Sequence, residues 1–479
     1  MGILSEITPK EVFKYFEEIT KIPHGSGDMD RISAYCVEFA NKNGLFCIRD
    51  SANNVIIKKD ASAGYESHEP VILQGHIDMV CQKDKDSSID FEKDALEIFT
   101  DGDFIKARGT TLGADNGIAV AMIMAILASK DITHPPIEAV FTTDEEIGMI
   151  GAGKLDVSVL SGKRMINLDA EEEEYLTVSC AGGSDFKAVL PLEKKAVSAT
   201  KVTVEISGLL GGHSGVEIDK GRVNANILAG RLLNTLSDLA EFEIISINGG
   251  TKANAIPVSC EIELTSCDSK AFLNAFEKVS ADIRTELSDR ESGLCITLSI
   301  GEEASYDVLS GSAKEKIMHL LLTTPDGVID MSASISGLVE TSLNLGILKT
   351  EDGHITACYA LRSNKSSSLD FLENKMEKFA GFLGFESSVS GRYEPWEYRD
   401  GSELQKLYKK VFFEKTGKEP IVSAIHAGLE CAVFSASIPN LDCIAIGPDM
   451  WGVHTTKEKL SISSTARIYE ILCNILADM

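Results

Sequence analysis

Val71-Ile72-Leu73-Gln74-Gly75-His76-Ile77-Asp78 reads as an apolar strand that ends in a histidine and an acid. Residues two apart on an extended strand project to the same face, so His76 and Asp78 are aimed together. Similar strand patterns lie at Val55–Lys58, Ile137–Thr142 and Met165–Leu168. Thr8-Pro9 opens an amphipathic helix predicted to about Ile22, and a second helix fits Asp30 to Asn43. Gly117–Ser129 is helical in pattern and apolar nearly all round, which predicts a buried helix. Strands alternating with helices predict an α/β sheet whose chemistry sits at the strand ends.

The pattern changes near residue 187. From there to about 390 the chain reads as strand pairs followed by amphipathic helices. Ile245–Gly249, Ala253–Ser266 and a helix from Ser269 form one such unit, and Leu345–Thr350, His354–Ser363 and a helix from Ser368 form another. They are either a duplicated α+β module or two independently similar β-β-α units. After Tyr393-Glu394-Pro395-Trp396 the first pattern returns, with a helix over Ser402–Glu414, strands at Pro420–Ser423 and Cys443–Ile446, and a closing helix over Ser464–Ala477. The economical organisation is an α/β domain formed by residues 1–186 and 391–479, with a second domain, 187–390, inserted into it.

Composition narrows the function. The chain has 479 residues, 44% hydrophobic and 25% charged, enough for several globular domains. Lys and Arg number 46 against 73 Asp and Glu, a formal net charge of -27. Such a surface repels phosphate backbones and anionic lipid, which argues against nucleic-acid and membrane partners. No stretch approaches the ~18 apolar residues of a membrane span. Glu6, Lys10, Glu11, Glu17 and Glu18 interrupt any secretory h-region. The eleven cysteines run from Cys36 to Cys473 without a C-x-x-C pair. They read as reduced thiols of a cytoplasmic protein.

Five segments carry unusual chemistry, and each has a bland reading. His76-x-Asp78 alone would be a hydrogen-bonded couple. Asp115, in Gly113-Ala114-Asp115-Asn116-Gly117, would be a helix N-cap. Asp144-Glu145-Glu146 after Ile137–Thr142 would be a solvated acidic turn, as would Asp169 with Glu171 to Glu174 behind it. His454, in Gly452-Val453-His454-Thr455, would be a loop residue. Together they put acids and histidines at the ends of several strands along one edge, where carboxylates repel strongly unless cations neutralise them. Two histidines with bridging and terminal carboxylates suit two Zn²⁺ ions. Glu145 beside Glu146 leaves one carboxylate for a metal and one as a base, which makes a two-metal hydrolase the functional reading.

The order His76-x-Asp78, Asp115, Glu145-Glu146, Asp169, His454 resembles the dizinc metallopeptidases of peptidase family M20. Gly75-His76-Ile77-Asp78-Met79-Val80, Gly113-Ala114-Asp115-Asn116-Gly117 and His426-Ala427-Gly428-Leu429-Glu430-Cys431 resemble its aminoacyl-histidine (Xaa-His, carnosinase-like) dipeptidase branch. Gly212-His213-Ser214-Gly215 and Asn254-Ala255-Ile256-Pro257 extend the likeness into the insertion. The resemblance implies a zinc-peptidase-type α/β catalytic domain with a mixed sheet and an inserted α+β lid that completes the active site. It implies hydrolysis of short peptides, dipeptides including Xaa-His among them. Two divalent ions are implied, Zn²⁺ first, with Mn²⁺ or Co²⁺ as alternatives. His76 and Asp169 would serve one ion, Glu146 and His454 the other, with Asp115 bridging. Asp78 would orient His76, and Glu145 would be the general base. The Asp115–Asn116 peptide would be cis. His213 would donate to the oxyanion. Arg362 offers paired N–H donors to a peptide's carboxylate on chemical grounds, a surface salt bridge being the equal alternative. Asn254, His426 and Glu430 complete the substrate-binding candidates, the last two being as readily a structural polar pair. The alternatives are an amidohydrolase for acylated amino acids, an aminopeptidase for longer peptides, and an inactive metal-stabilised peptide binder. Monomer and homodimer both stay open.

Overall fold

The computed structural model describes residues 2–479. They fall into two compact units. The first holds the chain up to Cys180, Trp396–Ala424 and Leu429–Met479; the second holds Ala181–Pro395 and Ile425–Gly428. The units therefore divide at 180/181 and 395/396 rather than at 186/187 and 390/391. The chain also re-enters the second unit for four residues, 425–428.

In the first unit an eight-stranded sheet runs in the order Phe46–Arg49, Val55–Lys59, Ile137–Thr142, Val71–His76, Arg164–Asn167, Asp442–Ala445, Tyr175–Cys180, Ile421–Ile425. Its middle is parallel, with Val71 opposite both Ile137 and Arg164, and Asp442 opposite Arg164. The flanking pairs are antiparallel, so the sheet is mixed. Val71–His76 and Ile137–Thr142 are buried at every position, as strands covered on both faces must be. The helix Ala114–Ala128 packs on Val71–His76 and on the helix Lys10–Ile19. Its apolar circumference is buried from Asn116 to Leu127. A separate four-stranded sheet joins Met450–Trp451, Lys459–Ser461, Phe104–Ala107 and Ile98–Asp101.

In the second unit a nine-stranded antiparallel sheet carries the two β-β-α units. Glu243–Gly249 pairs with Cys260–Ser266 and is followed by the helix Ser269–Leu287. Val339–Glu351 pairs with His354–Ser363 and is followed by the helix Ser366–Phe382. The first strands of the two hairpins meet at the sheet centre through Asn248 opposite Lys349. Lys194–Ser207 flanks one hairpin and Gly182–Pro191 the other, so the halves repeat one arrangement. Phe272, Phe276, Val279 and Ile283 of one helix and Leu369, Leu372 and Met376 of the other join a continuous core.

One strand end in the first unit tolerates no side chain. Beyond Asp442–Ala445, a Cβ on Gly447 would lie 1.7 Å from the carbonyl oxygen of Ala170, the residue after Asp169. A Cβ on Gly153, in the helix Ile150–Lys154, would meet nothing within 4 Å. In urea unfolding followed by circular dichroism, Gly447→Ala should lose about 1–3 kcal/mol or more. Gly153→Ala should gain about 0.4–1 kcal/mol through reduced unfolded-state entropy. Equal midpoints for the two variants would show that the strand end yields.

Candidate active site

Because Ile137–Thr142, Val71–His76, Arg164–Asn167 and Asp442–Ala445 are parallel neighbours, their C-terminal ends share one edge. His76 closes one strand, Glu145 and Glu146 follow a second, and Asp169 follows a third. The start of the helix Ala114–Ala128 is stitched to the same edge. Asn116 accepts at Oδ1 from the His76 backbone N–H (3.2 Å) and donates from Nδ2 to the Leu168 carbonyl (2.9 Å). The Asp115–Asn116 peptide is cis.

Asp115 sits between the two histidines. Its Oδ1 is 3.1 Å from His76 Nε2, and its Oδ2 is 3.1 Å from His454 Nε2. Asp169 Oδ1 lies 3.5 Å from His76 Nε2, and Glu146 Oε1 lies 2.8 Å from His454 Nε2. Ligand atoms of His76, Asp115 and Glu146 all fall within 4.8 Å of one another, a group able to hold a metal ion. His76 turns Nδ1 toward Asp78, 3.0 Å from its carbonyl oxygen and 3.4 Å from Oδ1. Asp78 is held in turn by Ser26 Oγ (2.8 Å) and by the backbone N–H groups of Glu145 (3.1 Å) and Glu146 (3.3 Å). The base candidate is thus anchored through its main chain. Glu146 spends its carboxylate on His454.

The electrostatics fit a cation. Burial pushes the Glu145 carboxyl up to about 9, and Asp169, Glu430 and Glu146 add to the shift against the opposing charge of His76. Burial likewise raises Asp169 to about 6. Hydrogen bonds to Asp115 and Glu146 hold His454 at about 10. Burial opposes charging of His76, yet Asp169 and the bonds to Asp115, Asp169 and Asp78 keep it well above the usual imidazole range. These acids cannot all ionise together unless positive charge is drawn in. Imidazole nitrogen and carboxylate oxygen are the donors that Zn²⁺ and its neighbours take.

Under the cluster lies a polar layer that the motifs did not announce. Asn167 Nδ2 donates to Gln74 Oε1 (2.6 Å), and Asn167 Oδ1 accepts from the Asp169 backbone N–H (3.2 Å). Gln74 Nε2 and Thr142 Oγ1 both donate to Glu430 Oε2, at 2.5 and 2.6 Å. Glu430 is completely buried and braces the strand ends, a placement that fits the structural alternative of the two readings given for it. Burial raises its carboxyl to about 7. A second unanticipated acid, Glu458, binds the backbone around Asp115. The spacing His454-x-x-x-Glu458 was the only trace of it in the sequence.

The remaining candidates belong to the second unit. His213 Nδ1 accepts from the N–H groups of Gly215 (3.1 Å) and Val216 (3.3 Å), which puts the ring proton on Nε2. Asn254 is exposed, and its carbonyl accepts from Ser214 N (2.9 Å). Arg362 is buried and in no ion pair among the described residues. Its Nη1 donates to Tyr393 Oη (2.9 Å), while its Nε has no partner. His426 commits both nitrogens, to Asn364 Oδ1 (3.0 Å) and Ser342 Oγ (2.7 Å). Burial, then Arg362 and His213, push it down to about 3. A histidine lowered in the folded state gives stability that is intact above its ordinary value of 6.5 and is lost as pH falls toward 3. Between pH 6.5 and 5, the unfolding free energy of His426→Gln should therefore depend less on pH than that of the parent, by up to one proton. Parallel profiles would show that His426 does not exclude its proton.

The sequence profile of peptidase family M20/M25/M40 matches residues 72–478. The cytosol non-specific dipeptidase of Escherichia coli K12 is 35% identical over 487 aligned positions, covering 100% of this chain and 99% of that protein. The crystal structure of aminoacylhistidine dipeptidase from Vibrio alginolyticus superposes with a TM-score of 0.91 at 33% identity, covering 99% of this chain and 98% of that one. A Staphylococcus aureus tripeptidase, 15% identical with a TM-score of 0.56 over 98% of each chain, shares the fold. On the matched profile and the full-length likeness together, the chain belongs to peptidase family M20/M25/M40.

Proposed function

We propose that the protein is a metallo-dipeptidase that hydrolyses short peptides, Xaa-His dipeptides among them, with two divalent ions, Zn²⁺ first. The observation that carries this reading is Asp115, whose two oxygens each face a different histidine at 3.1 Å. That disposition supports a carboxylate shared by two sites. His76 and Asp169 would complete one, and Glu146 and His454 the other. When bound, the ions would polarise the scissile carbonyl and lower the pKa of the attacking water. Glu145 takes the water's proton and returns it to the leaving amine, a role supported by its place beside Glu146, whose carboxylate is the one that meets His454, and by the anchoring of its main chain on Asp78. Asp78 fixes the His76 ring, so that Nε2 is presented to the cluster. His213, its proton on Nε2, donates to the developing oxyanion. Arg362 takes the peptide's terminal carboxylate, which its unpartnered Nε supports. A cytoplasmic setting and a monomeric or homodimeric state complete the proposal.

Metal analysis combined with hydrolysis of a panel of L-aminoacyl-His dipeptides, longer peptides and N-acyl amino acids tests this reading. Within this panel turnover should favour the dipeptides; turnover of the acylated amino acids alone would make the protein an amidohydrolase. Glu145→Gln should lower kcat by about 10²–10⁴-fold with metal content close to that of the parent. Retained kcat with two ions bound would reassign the base.

Arg362→Ala should raise KM for free dipeptides by about 10–100-fold, the worth of a charge-assisted hydrogen bond, and leave C-terminally amidated ones little changed. His213→Ala should depress kcat by about 10²–10³-fold for both substrates. Equal KM effects of Arg362→Ala on the two substrates would show that the guanidinium does not read the carboxylate.

A further inference from the structure

The helix Ala114–Ala128 is preceded by Gly113 in the left-handed region, at φ 67°, and no side chain next to it in sequence caps it. The N–H groups of the segment that leads into it are satisfied from more than 340 residues away. The backbone N–H groups of Leu112 (2.7 Å) and Gly113 (3.2 Å) donate to Glu458 Oε2, and those of Ala114 (2.8 Å) and Asp115 (3.4 Å) donate to Oε1. Four consecutive backbone donors thus converge on one buried carboxylate, in a segment that is not yet regular helix, since Asp115 and Asn116 have non-helical backbone angles. With the backbone of this segment fixed by Glu458, the Asp115 side chain faces His76 and His454.

Glu458 is also tied to the second histidine. It ends a tight loop in which Thr455 N–H donates to the Gly452 carbonyl and Glu458 N–H to the Thr455 carbonyl, both at 3.1 Å. His454 lies within that loop, and its Nε2 is 3.1 Å from Asp115 Oδ2. One acid therefore spans the backbone segments that carry Asp115 and His454. Resting on the two-metal reading above, we propose that Glu458 is a positioning residue, which fixes the bridging carboxylate against His454 and so sets how tightly and how closely coupled the two ions are held.

A purely structural brace would stabilise the fold and leave metal binding alone. Glu138 provides the comparison. It too is a buried carboxylate holding backbone N–H groups, those of Ser161 (2.9 Å) and Gly162 (2.9 Å), but it contacts none of the candidate ligands. The full chain is loaded with Mn²⁺ as wild type, Glu458→Gln, Glu458→Asp and Glu138→Gln, with folding checked by circular dichroism. Affinity is read by competition with a chelator, and the bridge by the exchange-coupled electron paramagnetic resonance signal of a Mn²⁺ pair. Glu458→Gln should bind at least one ion about 10–100-fold more weakly and replace the coupled signal with that of isolated Mn²⁺. Glu458→Asp should fall between, and it carries the test if the Gln variant does not fold. Glu138→Gln should lose stability only. Folded Glu458 variants with parental affinity and coupling would overturn the proposal. A wild type without any coupled pair would instead overturn the two-metal reading, and the proposal with it.

Discussion

The demand that shapes the first unit is mutual repulsion among acids. Asp78, Asp115, Glu145, Glu146 and Asp169 must face the same few ångströms, and like charges at such range oppose one another strongly. At Asp78 the charge is met by oriented donors, two backbone N–H groups and a serine hydroxyl. The backbone N–H groups of Asp115 and Asp169 donate to Glu458 and to Asn167 Oδ1, which fixes those segments without offsetting the charge of either carboxylate. Under the proposed function, that offset is left to ions that can do chemistry.

Position on the sheet follows from the same demand. At the C-terminal edge of parallel strands, the chain leaves the apolar interior just where acids can be solvated or ligated. Beneath that edge, Gln74, Thr142, Asn167 and Glu430 form a buried polar layer in which nearly every donor is matched. Such networks are costly if incomplete and directional if complete. The layer joins three strand ends and the helix that begins at Glu430, so the spacing between His76 and Asp169 is set by hydrogen bonds as well as by packing.

The strands that end in acids were legible because short continuous apolar runs and terminal His-x-Asp or acidic runs are local signals. The all-apolar helix after Gly113 was legible for the same reason. Asp115 shows the limit: its position before that helix fits an N-cap, and only the structure shows its backbone held by Glu458 and its side chain facing the histidines. Glu458 itself stands in Lys457-Glu458-Lys459, which reads as an ordinary solvated charge run. Glu430 stood open between substrate contact and a structural role, because nothing local in the sequence distinguishes a buried glutamate with two partners from an exposed one. The return of 425–428 to the second unit is too short to leave a compositional mark.

The histidines make the same point through their surroundings. His76 and His454 lie among carboxylates and are drawn toward the charged form, so a cation binding there would have to displace their protons. His213 and His426 are pushed the other way, first by burial and then by the guanidinium of Arg362. A neutral ring has one N–H and one lone pair, so its hydrogen bonds define the direction of its donor. In His213 the lone pair on Nδ1 is occupied by two backbone N–H groups, and the proton must sit on Nε2. Under the proposed function Arg362 would act twice: it would offer its own donors to an anion, and its charge helps draw the neighbouring imidazole toward the neutral form. A lysine could supply the charge, but not the planar pair of donors that makes both tasks compatible at one residue.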